Sequence, residues 1–168
     1  MISRKIVLIG DFATGKTSLI RRFVDNQFSD TYLSTIGVKI SKKIIPLEKT
    51  TLQGMIWDIE GGTETKPVNK TYLIGAHGAI LVADGTRYET LEHIEMYRAL
   101  LHKNNAKIPL VLVINKCDCL SDEARHAMTE KAKTMYGDGI KNIFLTSAKT
   151  GEGVEEMFFA IASEIVGS

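Results

Sequence analysis

The eight residues Gly10-Asp11-Phe12-Ala13-Thr14-Gly15-Lys16-Thr17 fit the pattern G-x-x-x-x-G-K-[ST]. They sit between an apolar run, Ile6–Ile9, and a segment of helical period from Lys16 to about Val24 that sets Leu19, Ile20 and Phe23 on one side. Strand, glycine-bearing loop and helix in that order make a cradle for phosphate. The backbone N–H groups of Asp11, Phe12, Ala13, Thr14, Gly15, Lys16, Thr17 and Ser18, with the positive end of the helix, surround a β-phosphate. Lys16 adds a point charge that reaches the β and γ oxygens, and the Thr17 hydroxyl is a ligand for Mg2+. The competing reading is a chance match in an ordinary strand-to-helix turn, and the flanking elements argue against it. By itself the loop implies a nucleoside triphosphate and leaves the base open.

The rest of the chain alternates apolar runs with helical segments, the pattern of a mainly parallel α/β sheet covered on both faces. Strands are expected at about Val38–Leu47 and Leu52–Asp58, joined by Glu48-Lys49-Thr50 and therefore antiparallel, then at Ala79–Ala83, Leu110–Ile114 and Ile143–Leu145. Helices are expected from Glu89 to about His102, from a Ser121 cap to Tyr136, and from Gly153 to Ile165 with Val154, Met157, Phe158, Ile161 and Ile165 on one stripe. No linker or repeat interrupts the 168 residues, which predicts a single domain over 1–168. With 21 Lys+Arg against 20 Asp+Glu the net charge is +1, unlike a dedicated nucleic-acid binder with its basic face and pI above about 9. Cys117 and Cys119, one residue apart and without a distant partner, predict no disulfide framework and a reducing, cytoplasmic setting. No apolar run approaches the ~20 residues of a membrane helix.

In such sheets ligands lie at the carboxyl ends of the strands, which directs attention to the loops after Ile9, Asp58, Ala83, Ile114 and Thr146; four of these five carry recognisable chemistry. Asn115-Lys116-Cys117-Asp118 follows a buried strand, and its Asp118 carboxylate is placed to accept from the N1 and N2 donors of guanine, a pair that adenine lacks. Thr146-Ser147-Ala148-Lys149, after the last strand, offers backbone N–H groups to the guanine carbonyl oxygen. Either tetrapeptide alone is an ordinary set of turn residues; their order behind a phosphate loop is what makes them specific.

With these motifs the chain resembles the small GTPases of the Ras superfamily over nearly all its length, and is most similar to Rab proteins. Tyr32-Leu33-Ser34-Thr35-Ile36-Gly37-Val38, Trp57-Asp58, Gly75-Ala76-His77-Gly78 and Thr146-Ser147-Ala148-Lys149 carry that likeness. The resemblance implies a P-loop small G domain: a six-stranded, mostly parallel sheet with one antiparallel edge strand and helices on both faces. It implies GTP or GDP with Mg2+ as cofactors, Thr17, Thr35 and Asp58 as the metal-holding residues, and Lys16 and Thr35 as catalytic groups. Phe28 and Tyr32 join Asn115, Lys116, Asp118, Ser147, Ala148 and Lys149 as nucleotide contacts, and the N–H of Gly61 senses the γ-phosphate. Loss of that phosphate releases switch I around Thr35 and switch II after Asp58, the order-to-disorder step such switches use.

Several positions depart from the family pattern. Asp-x-Ala-Gly-Gln is here Asp58-Ile59-Glu60-Gly61-Gly62, so Gly62 stands where a glutamine orients the attacking water. That predicts GTP binding with slow turnover, a weak GTPase rather than none, and a faster Gly62→Gln variant if the missing side chain is the cause. Glu60 replaces a small residue near the metal and repels the triphosphate unless it turns away or is paired. Thr63 and Glu64 are the candidates to replace the lost group. Phe12 stands where Gly or Ser is usual; it either obstructs an activating protein, making a conventional activator response doubtful, or swings onto a neighbouring apolar surface.

Effectors are expected to read the switches together with Ile40, Trp57 and Tyr72, with an exchange factor as a second partner and the chain itself a monomer. Lys39, Lys42 and Lys43 make the first hairpin strand basic, which reads first as a solvated, edge-protecting face and second as a site for an acidic partner. Trp57 is either exposed to partners or buried against the sheet. No lipid-anchor cysteine follows Cys119, so membrane association is expected only through a missing tail or a partner. The four histidines show no metal spacing, and the two cysteines read first as inert loop thiols. Two other functions compete with a GTP switch: a nucleotide-locked scaffold of the same fold, and a metabolic kinase, against which the Asn115–Asp118 and Thr146–Lys149 loops argue.

Overall fold

In the computed structural model, which describes residues 1–31 and 33–167, six strands form one sheet in the order β2-β3-β1-β4-β5-β6. The strands are β1 (Ile2–Gly10), β2 (Val38–Pro46), β3 (Thr51–Ile59), β4 (Gly78–Asp84), β5 (Leu110–Asn115) and β6 (Asn142–Leu145). Only β2 runs antiparallel, paired with β3 from Val38 opposite Ile59 to Pro46 opposite Thr51. The tight turn closes with Leu47 N–H donating to Thr50 O at 2.8 Å. The other pairings are parallel. The fold is therefore the small G-domain architecture expected.

Burial on both faces explains why the strands are continuous apolar runs. Successive β1 residues alternate between two cores: Ile6 and Leu8 face α1 (Lys16–Asp25) and α5 (Val154–Gly167), where Phe23 stacks on Phe158 at 4.0 Å, while Val7 and Ile9 face the opposite side. The predicted α5 stripe of Val154, Met157, Phe158, Ile161 and Ile165 is buried there as expected. The strand begins earlier than its apolar core, because Ile2 to Lys5 pair with β3 before β4 joins at Ile6.

One expected helix is in fact two. The segment taken as running from Glu89 to about His102 divides into α2 (Tyr88–Glu92) and α3 (Ile94–Asn104). At His93 the chain tightens, its carbonyl accepting from Met96 N–H at 3.1 Å and Tyr97 N–H at 3.4 Å, while its imidazole reaches Asp11 of the phosphate loop at 2.6 Å. The break coincides with a contact to a side chain 82 residues away. Ser121 does cap α4 (Asp122–Tyr136), its hydroxyl accepting from Ala124 N–H at 3.1 Å.

Candidate functional site

The loops at the carboxyl ends of β1, β5 and β6 enclose a cleft of about 320 Å³ lined by Phe12, Ala13, Gly15, Lys16, Thr17, Ser18, Phe28, Thr35, Gly61, Asn115, Lys116, Asp118, Ala148 and Lys149, all sequence candidates. Gly15 enters α1 with φ +95°, a left-handed conformation, and a Cβ there would stand 2.3 Å from Asn115 Nδ2. Among the described residues no side chain caps the helix, whose positive end faces the cleft. The Lys16 ammonium donates to Asp11 O at 2.8 Å, to Gly10 O at 3.3 Å and to Thr14 Oγ1 at 3.3 Å. Burial pulls its pKa down to about 8, against the opposing charges of Asp58 and Asp11.

The two halves of the cleft are tied to each other. Asn115 Nδ2 donates to Thr14 O at 3.0 Å, Lys116 Nζ donates to Ala13 O at 2.9 Å, and Thr146 Oγ1 donates to Asn115 Oδ1 at 3.1 Å. The Ser147 hydroxyl donates to Asp118 Oδ1 at 2.7 Å. The Thr14 and Ser147 side chains are fully buried and brace the cleft. Tyr32 lies outside the described residues.

At the phosphate end three side-chain oxygens converge. Thr17 Oγ1 lies 2.5 Å from Thr35 Oγ1 and donates to Asp58 Oδ2 at 2.6 Å, and Thr35 Oγ1 lies 3.2 Å from the same oxygen. Asp58 is 3% exposed, and its Oδ1 is a buried oxygen with no hydrogen-bond partner among the described residues. Burial pushes this carboxyl above the ordinary carboxylate range despite hydrogen bonds from Thr17 and Thr35 and the charge of Lys16. A carboxylate with an orphaned oxygen beside two hydroxyls is the hard-oxygen set that Mg2+ takes, directly or through water.

Sequence reading missed the loop after β4. Asp84 is 1% exposed and binds Lys116 at 2.8 Å and Arg87 Nε at 3.1 Å, and Arg87 Nη2 donates to Phe12 O at 2.7 Å. Burial alone would raise the Asp84 pKa, but hydrogen bonds from Lys116, Thr86 and Arg87 outweigh it and hold the carboxyl below the usual range. The fifth strand-end loop is therefore a brace joining the base-reading loop to the phosphate loop. The pattern Asp84-Gly85-Thr86-Arg87, an aspartate at a strand end followed by turn residues, was the available signal.

The positions that depart from the family pattern have unexpected neighbours. The Asp11 side chain turns away from the cleft, accepting from the Tyr97 hydroxyl at 2.5 Å and lying 2.6 Å from His93 Nδ1. Gly62 is buried against the same group, and a Cβ on it would stand 2.5 Å from the Tyr97 oxygen. Phe12 N–H donates to Gly62 O at 2.9 Å and Gly62 N–H to Gly10 O at 3.2 Å, pinning the start of switch II to the phosphate loop. Thr63 and Glu64, the candidate replacements for the missing glutamine, line a second cavity of about 520 Å³ with Asp11, Tyr97 and Leu100, and Phe12 stands in the wall of both. Glu60 turns away from the cleft, accepting from Gly37 N–H at 3.1 Å and from Lys66 Nζ at 3.1 Å. This pairing holds its carboxyl below the usual range.

On the outer sheet face Ile40, 45% exposed, lies opposite Trp57, whose ring is 6.5 Å from that of Tyr72. Trp57 is half-buried, and the Lys5 ammonium stands 3.5 Å from the centre of its ring. Cys119 is exposed and Cys117 buried, unbridged. Among the described residues no helix is long and apolar enough to cross a membrane.

The sequence model of the Ras family matches residues 5–167. The chain is 36% identical over 163 residues to the Ras-related protein Rab-1 of Theileria annulata, covering 96% of this chain and 73% of that one. It is 37% identical to Rab-1 of Theileria parva over the same shares of the two chains. To the Ras-related protein Rab-13 of Rattus norvegicus it is 34% identical, over 96% of this chain and 79% of the relative.

Proposed function

From the premise that this chain belongs to the Ras family of small GTPases, Rab-like in sequence, we propose that residues 1–168 form a G domain that serves as a GTP-binding switch in membrane traffic with slow turnover of its own. Proteins of this family bind GTP or GDP with Mg2+. Here Asp118, held by Ser147, accepts from the guanine edge, while Phe28, Ala148 and Lys149 border the base. Residues 11–18 receive the phosphates at the helix end, and Lys16 is charged toward them. Thr17, Thr35 and Asp58 hold Mg2+, which when bound supplies charge for the β and γ oxygens. Gly61 in the cleft wall presents its N–H to the γ-phosphate, and switch I and switch II present the surface of Ile40, Trp57 and Tyr72 to effectors. An exchange factor loads the monomeric protein.

One observation carries slow turnover. The space a residue-62 side chain would fill belongs to the Tyr97 hydroxyl, and Thr63 and Glu64 border the other cavity, so no side chain from these positions orients water in the cleft. Phe12 in the cleft wall adds an obstacle to a conventional activating protein. The test is single-turnover hydrolysis of bound GTP with Mg2+. Slow but measurable decay of the bound GTP is expected, and decay at the rate of a small GTPase that carries the glutamine refutes the reading.

The pairing of Glu60 with Gly37 favours a second reading, a nucleotide-locked scaffold that presents the same surface without meaningful turnover. GTP or GDP that neither decays nor exchanges distinguishes it.

A further inference from the structure

We infer that Glu60 latches switch I to switch II, so that the surface around Ile36, Ile40, Trp57 and Tyr72 stays assembled in the GDP-bound as well as the GTP-bound protein. The inference rests on the reading of the cleft as a guanine-nucleotide site and sides with the second reading above, in which one surface is presented whichever nucleotide is bound.

The latch prolongs the β2–β3 ladder. The last regular pair is Val38 opposite Ile59. One residue further on, Glu60 N–H donates to Gly37 O at 2.8 Å, which is a ladder bond. Gly37 N–H is then taken by the Glu60 side chain at 3.1 Å instead of by a strand carbonyl. Both backbone groups of Gly37, in switch I, are thus satisfied by one residue of switch II. Lys66, further along switch II, fixes the free carboxylate oxygen at 3.1 Å. Tyr72 adjoins the same point, since a Cβ on Gly37 would stand 3.4 Å from its hydroxyl.

Position in the chain gives this bond its consequence. The proposed phosphate-sensing points are Thr35, two residues before Gly37, and Gly61, one residue after Glu60. When the γ-phosphate leaves, those two points lose their ligand, but the rung just beyond them involves no phosphate oxygen. An order-to-disorder switch needs both segments to come free, and here their roots are tied by a hydrogen bond to a charged acceptor and an ion pair whose residues do not line the cleft. Ile36, 87% exposed, and Ile40, 45% exposed, flank the tie and share its fate.

The test loads the protein with GDP or with a non-hydrolysable GTP analogue, measures the bound nucleotide by chromatography after denaturation, and follows amide hydrogen exchange over residues 33–40 and 58–66 with the emission of Trp57, the single tryptophan. In the parent protein the two nucleotide forms should exchange within about twofold of each other and emit alike. In Glu60→Ala the GDP form should exchange about tenfold faster than the analogue form, with Glu60→Gln, which keeps an acceptor for Gly37 but loses the charge facing Lys66, in between. Parent exchange that already differs about tenfold between nucleotides overturns the latch, whatever becomes of the variants. So does a folded Glu60→Ala protein whose GDP form exchanges like the parent. A protein that retains neither nucleotide overturns the reading of the cleft, and this inference with it, and the nucleotide assay tells that failure apart from the others.

Discussion

A glutamine introduced at position 62 meets Tyr97 before it meets any nucleotide. Its Cβ would stand 2.5 Å from the Tyr97 oxygen, well inside contact, and neither partner is free to retreat. The Gly62 backbone is pinned by Phe12 N–H and by Gly10 O, while Tyr97 is 1% exposed with its hydroxyl donating to the Asp11 carboxylate. Overfilling such a site costs about 1–3 kcal/mol, and rotating Tyr97 away forfeits a bond to a charged acceptor worth about 1.5–3 kcal/mol. We therefore expect Gly62→Gln to lose about 2–4 kcal/mol, a fall in Tm of roughly 5–15 °C for a chain of this size, with no gain in hydrolysis. Tyr97→Phe removes the obstructing oxygen and leaves the ring carbon 3.5 Å from the new Cβ, ordinary contact. In the double variant the stability loss should fall short of the sum of the single losses by about 1 kcal/mol or more, and only there should single-turnover hydrolysis rise. Thermal and urea unfolding of the four proteins, with GTP decay in each, gives the answer. A Gly62→Gln protein as stable as the parent and hydrolysing about tenfold faster would refute the reasoning.

Lys16 gives a pH dependence of definite sign. Its pKa in the nucleotide-free protein is lowered to about 8, so it is charged at pH 7 and largely neutral at pH 9. Phosphate binding must then restore the proton, so nucleotide affinity should fall about tenfold between those values, with proton uptake visible in buffers of different ionisation enthalpy; affinity flat across that range refutes it. Asp118→Ala removes the acceptor proposed for two guanine donors and should cut the preference for GDP over ADP by about tenfold or more in competition binding, with a fall in Tm of roughly 2–10 °C because the buried Ser147 hydroxyl loses its acceptor. An unchanged preference would mean the base is read elsewhere.

How legible the site was depended on how local its causes were. Gly10 to Thr17, Asn115 to Asp118 and Thr146 to Lys149 each span one strand end and the loop after it, so pattern and context sufficed to bring them to one cleft. The α5 stripe was equally local, five apolar residues at spacings of three and four burying one face. What escaped were pairings across the fold. The helix boundary at His93 falls where its imidazole meets Asp11, 82 residues away. Asp84 reads as an ordinary turn residue until Lys116 from the next strand's loop lies against it.

The same distinction governs the departures from the family pattern. Read one at a time, Gly62 is a lost side chain and Glu60 an intruding charge, and each looks like damage. In the fold each has been accommodated by a neighbour that no local pattern announces: Tyr97 stands where a residue-62 side chain would begin, and Gly37 and Lys66 take the carboxylate out of the cleft. Accommodation by contact makes the effects of substitution non-additive, because reverting one partner leaves the other in the way or unpaired. Restoring a single family residue at this seam is therefore expected to disturb packing before it restores chemistry, and the pair of residues is the unit in which this site has to be altered.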